Sequence, residues 1–194
     1  MNWISTLFIS MFTSNALLTW GFGLRTGFRS RSHNSALWFA ELLILDVFAF
    51  VVLWFLSSLV LDPLGLSHLV AFAYALIALP LLRLLARAIL AFGETGDDAR
   101  SANLNELTAS TLVFGISLIA VHRSSNLTEG ILASVSAAFG WWSAVGILNA
   151  IGRRTEAGSL PSALRGGPAI LLSAALLAMI IAFANTALGQ GFGK

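Results

Sequence analysis

The sequence predicts an all-α integral membrane protein with six transmembrane helices. They form an inverted three-plus-three repeat whose first and fourth helices are interrupted. Three observations carry that expectation. Of 194 residues, 57% are apolar and 10% charged, against about 25% charged in ordinary soluble domains. Six apolar stretches recur along the chain, and the two weak ones occupy corresponding places. The basic residues gather in alternate loops. So little polar surface cannot cover a core in water, and the mean hydropathy of +0.85 agrees. A water-soluble globular enzyme is excluded, and membrane lipid is the solvent.

The apolar stretches are Trp3–Trp20, Ala36–Leu61, Leu64–Ala91, Leu107–Val121, Ile131–Ile151 and Ala169–Leu188. A crossing helix needs about 20 predominantly apolar residues. The second, third, fifth and sixth meet that requirement. The first is broken by Thr13, Ser14, Asn15 and Thr19 and ends in Gly21-Phe22-Gly23, while the fourth is short and opens with Thr108, Ser110 and Thr111. Thr13-Ser14-Asn15-Ala16-Leu17-Leu18 aligns with Thr108-Ala109-Ser110-Thr111-Leu112-Val113, and Asp62-Pro63-Leu64 with Leu160-Pro161-Ser162, at similar offsets. These matches indicate an internal duplication. The chain reads as a single membrane domain over 1–194, with repeat halves of about 1–92 and 104–190. Three spans per copy is an odd number, so the second copy enters the bilayer from the opposite side. Interrupted helices in matching positions point either to a site at the bilayer midplane or to short helices packed within the bundle.

Arg25, Arg29 and Arg31 follow the first span, Arg83, Arg87 and Arg100 end or follow the third, and Arg153, Arg154 and Arg165 follow the fifth. Only Arg123 and Lys194 lie elsewhere. The bias places those three loops in the cytoplasm and both termini outside. The pI near 9.9 accompanies a net charge of only +2, which reads as topology and not as a nucleic-acid face. The first twenty residues lack a basic leader region and a small-x-small cleavage site, so no removable signal peptide is expected. There are no cysteines, which excludes disulfides, zinc–thiolate sites and cysteine-bound iron–sulfur clusters within this chain. Three scattered histidines make no pair at ligand spacing, so no metal site and no catalytic residue is assigned.

Among polar residues, Asp46 lies deepest in the second span. It is an ion or proton relay, or the counter-ion of an arginine on a neighbouring span or subunit. Glu41 is read as interfacial. Asn15 and Ser110 match across the repeat and either line a polar path or hydrogen-bond between helices. The Trp141-Trp142 pair sits mid-span and is read as packing against a partner subunit, with a cofactor-stacking surface as the alternative. Gly93–Asn105, with Glu94, Asp97, Asp98 and Arg100, reads as a solvated loop joining the halves.

Several segments together carry a family resemblance. They are Ser14-Asn15-Ala16-Leu17-Leu18 through Gly23-Leu24, then Asp62-Pro63-Leu64-Gly65-Leu66, then Leu107 through Gly115. Ala138-Phe139-Gly140 and Pro161-Ser162-Ala163-Leu164-Arg165-Gly166 complete the set. In order and spacing the chain resembles the six-helix membrane subunits of the Rnf and Na+-pumping NADH:quinone oxidoreductase (Nqr) complexes, of the RnfA/NqrE type. The resemblance implies a multi-pass protein of the bacterial inner (cytoplasmic) membrane. It implies pairing with a second six-helix subunit, together with flavin or iron–sulfur subunits as further partners, and no nucleic-acid partner. In that family each member of the pair supplies two cysteines to a shared [2Fe–2S] cluster. The resemblance places those ligands at Arg25 and Thr111. Neither residue can ligate iron as a thiolate, so no cofactor is expected on this chain alone. The implied function is a membrane subunit of a redox-driven ion-translocating electron-transport complex, non-catalytic by itself. An independent small ion or solute transporter or channel, and a purely structural scaffold, are the alternatives. A single deep acidic residue is sparse for an independent transporter.

Overall fold

The computed structural model describes residues 17–18, 21–23, 35–92, 98–157, 161 and 166–192; these are helix, turn or short connection, with no strand among them. Helix α1, Ser35–Leu56, runs on into a π-helical turn, Ser57–Leu61. There the Asp62 N–H reaches back five residues to the Ser57 carbonyl at 2.8 Å. The widening lies just ahead of Pro63, a residue with no N–H and a ring that crowds the preceding turn. Gly65, at φ +69°, then reverses the chain.

The return span joins a short 3-10 turn (Ser67–Leu69), α2 (Val70–Ala73), a second π turn (Tyr74–Ala78) and α3 (Leu79–Phe92). Again the π turn precedes a proline, Pro80, and the Leu79 N–H bonds to the Tyr74 carbonyl. Helix α4, Asp98–Thr108, and α5, Thr111–Arg123, form one apolar pair bent by 42° at the intervening break. The bend falls within the Thr/Ser-rich stretch where an interruption is expected. Helix α6 is Leu127–Ala157 and α7 is Gly167–Phe192, the latter with Pro168 in its first turn, where a missing N–H costs nothing.

The stretch expected to be a solvated loop up to Asn105 is corrected in part. From Asp98 it is helical, and Leu104 and Leu107 are fully buried. Its polar composition hides a narrow apolar contact that periodicity over so few residues does not reveal.

Helix α1 sits at the centre of the packing. Leu42, Leu45, Ala49 and Leu53 recur every three or four residues and are inaccessible. The contacts between α1 and α6 run in opposite directions along the two helices. Trp38 stacks on Trp141, Phe39 meets Phe139 and Trp142, Asp46 meets Ser134, and Phe50 lies against Gly130. Residue numbers rise on one helix as they fall on the other, so the pair is antiparallel. Contacts with α4 and α5 run the other way. Arg100 pairs with Glu41 near the start of α1, whereas Ser124, just beyond α5, meets Gly130 beside Phe50. The broken α4–α5 segment therefore runs parallel to α1.

Small residues let α1 and α6 approach. Gly130, Ser134 and Ala138 are buried on the contact face, and a Cβ at Gly130 would overlap the Phe50 ring. The outer faces are apolar and open: Phe183 is 77% exposed and Met179 and Leu59 each 69%. In water such a surface would be untenable; against acyl chains it is at home. Three helices are long and apolar enough to cross a bilayer, and four if the bent pair counts as one span. The chain is a multi-pass membrane protein.

Candidate functional site

Two breaks in the helical pattern meet. Gly23, at φ +73°, closes the Gly21-Phe22-Gly23 turn. Its N–H donates to the Thr111 hydroxyl at 3.3 Å, across 88 residues of sequence. A Cβ on Gly23 would fall 2.8 Å from Trp141 Nε1 and 2.9 Å from Leu112 Cβ, and one on Gly115 would overlap the Phe22 ring. Only glycine fits both the backbone angle and the space at position 23.

On the other side of the junction, Ser110 is extended (φ −77°, ψ 143°) and caps α5, its oxygen accepting from Val113 N–H at 3.5 Å. Its hydroxyl also donates to the Leu107 carbonyl at 2.7 Å. Ser110 thus satisfies backbone groups at its own break, which is what a serine before a helix does best. Asn15 and Arg25 lie outside the described residues.

Deeper in the packing, Asp46 is fully buried and receives the Ser134 hydroxyl on Oδ2 at 2.6 Å. Its other oxygen, Oδ1, has no hydrogen-bond partner among the described residues. Among the described residues the hydrogen-bond partner of Asp46 is a serine. Tyr74, the only tyrosine in the chain, is 3% exposed, opens the second π turn and rests edge-on against Phe114 at 4.8 Å. Its hydroxyl also lacks a hydrogen-bond partner among the described residues. Sequence reasoning missed both Ser134 and Tyr74. A lone tyrosine in an apolar span was the available signal for one. For Ser134 the signal was a serine in a row of small residues at helical spacing.

Glu41, read as interfacial, has a side chain that is 6% exposed and accepts a 2.7 Å ion-paired hydrogen bond from Arg100 Nε, an arginine 59 residues away in sequence. One expectation needs correction. Trp141 does not project toward a partner subunit. It is fully buried, stacked on Trp38 with centroids 5.6 Å apart. Trp142, 42% exposed, lies against Phe39.

No family model matches the chain. Among characterised proteins it is 33% identical over 131 residues to the RnfA subunit of the Na(+)-translocating ferredoxin:NAD(+) oxidoreductase complex of Acetobacterium woodii, covering 67% of this chain and 68% of that one. It is 26% identical over 133 residues to the corresponding subunit of the ion-translocating oxidoreductase complex of Buchnera aphidicola, covering 69% of each chain. The protein of the same description from Yersinia pseudotuberculosis is 26% identical over 131 residues, covering 68% of each.

Proposed function

Since the chain belongs to the RnfA family of ion-translocating oxidoreductase complexes, we propose that it serves as a six-span membrane subunit of a redox-driven ion translocase, without a [2Fe–2S] cluster of its own. It pairs with a second six-helix subunit, and flavin or iron–sulfur subunits join the pair in the bacterial inner membrane. A chain with so little polar mass suits a membrane subunit whose partners carry the electrons.

One observation carries the cluster-free assignment. At Thr111, one of the two positions where the family resemblance puts a cysteine, the side chain is a hydroxyl already engaged by the Gly23 N–H. The chain has no cysteine elsewhere to replace it. The residues present do not fit an iron–sulfur cluster, which needs thiolate or imidazole ligands. No electron-transfer step is assigned to this chain. Its role is to anchor partner subunits and to line the ion path, with Asn15, Asp46 and Ser110 the candidates along it.

The packing directions support the inverted repeat. If the bent α4–α5 segment dipped into the bilayer and returned, α6 would run parallel to α1. The observed antiparallel pairing is what a complete fourth crossing produces, and it gives the middle helices of the two halves opposite senses. The junction of Gly23 with Thr111 is the place where two such halves would touch at their breaks. The basic loops then lie in the cytoplasm with both termini outside.

Affinity purification from native membranes tests the reading. A tagged chain is expected to bring down a second six-helix protein together with flavin and iron–sulfur subunits. Isolation of the chain alone, with solute movement in liposomes containing nothing else, would replace this reading with an independent transporter.

A further inference from the structure

We propose that Asp46, Ser134 and Tyr74 form a buried binding site for one monovalent metal cation, held by the carboxylate and the two hydroxyl oxygens. The inference rests on the ion-translocating reading and gives its path a defined station.

The groups come from three elements, α1 with Asp46, α6 with Ser134 and the π turn of the return span with Tyr74, and α1 packs against both of the others. Ser134 and Asp46 are already joined by a hydrogen bond. Two of the three groups carry an unsatisfied oxygen in a buried setting, Asp46 Oδ1 and the Tyr74 hydroxyl. Buried polar atoms without partners are uncommon in native proteins and call for a ligand, a water or an ion. Two on neighbouring elements, one of them a carboxylate, narrow the choice to something positively charged. The π turn agrees, since such turns recur at functional sites.

Charge sets the valence. No described basic residue pairs with Asp46. Glu41, already paired with Arg100, and Glu129 lie more than a helical turn away in sequence along α1 and α6. On α5, which also packs against α1, the buried Ser117 hydroxyl is spent on the Val113 and Phe114 carbonyls. No group of three or more acidic, histidine or cysteine side chains assembles among the described residues. A single carboxylate is neutralised by a single positive charge, whereas a divalent ion would leave excess charge in a low-dielectric layer. Donor chemistry sets the class: an all-oxygen set suits hard cations and offers nothing to soft ones.

Equilibrium binding of radioactive sodium to the purified full chain in detergent tests this, with choline as the inert cation. Wild type is expected to bind about one sodium per chain. Asp46→Asn is expected to bind none, and Ser134→Ala or Tyr74→Phe to weaken binding roughly fivefold, the scale of one lost polar contact. Absence of sodium binding by wild type would overturn the site and leave Asp46 to hold a proton only. If Asp46→Asn loses its helical circular dichroism, the two hydroxyl variants decide, because both keep the charge. Unchanged sodium affinity in both would overturn the proposal. Sodium binding is read on the chain alone, so it stands or falls separately from copurification with redox subunits.

Discussion

Arg100→Ala leaves the Glu41 carboxylate, 6% exposed, without its counter-charge. Removing one member of a fully buried pair costs about 3–5 kcal/mol; because Arg100 is itself 28% exposed, about 2 kcal/mol is expected. Glu41→Gln should cost less, since a neutral amide tolerates the site. A double-mutant cycle read by thermal unfolding in detergent checks this, with a clearly non-additive pair as the expected result. Thr111→Ala removes the acceptor for the Gly23 N–H and should cost about 1 kcal/mol, with Thr111→Ser retaining most of it. These pairings were not legible from sequence. Glu41 and Arg100 are joined only by the fold, and nothing local to Glu41 distinguishes a shielded carboxylate from a wet one.

The glycines make sharp comparisons at the level of the element. Gly23→Ala combines a left-handed backbone angle with contacts under 3 Å to Trp141 and Leu112, and is expected to cost more than about 2 kcal/mol. Gly65→Ala shares the angle, φ +69°, but meets nothing within 4 Å, so only about 1 kcal/mol is expected. Along α6 the contrast reverses sign. Gly130→Ala drives a methyl into Phe50 and should loosen the α1–α6 contact, whereas Gly146→Ala meets open space and should stabilise the helix by about 0.5–1 kcal/mol. Thermal unfolding of the four variants checks the order. Hydropathy located the described spans closely: Ala36–Leu61 is matched by an apolar helix over Leu37–Leu61, and Leu64–Ala91 by one over Ser67–Ala91. The π turns escaped it because hydropathy is blind to a change of helical pitch. Pro63 and Pro80 were the only hints, and a proline fixes where a helix is disturbed without fixing how.

At the scale of the whole molecule, composition alone decided the solvent, and the order of short motifs pointed to the family to which the chain belongs. The site was less legible. Asp46 stood out as the deep charge, but its partners come from spans whose contacts depend on the direction of each crossing. That direction is the central claim, and a chain without native cysteines allows it to be measured directly. Single cysteines placed by His68→Cys, Ser125→Cys and Arg153→Cys can be labelled in oriented vesicles with a membrane-impermeant maleimide. The inverted repeat predicts His68→Cys and Ser125→Cys labelled from the outer face and Arg153→Cys only from the cytoplasmic face. Labelling of the His68 and Ser125 positions from opposite faces would mean that α4–α5 does not cross, and would contradict the account.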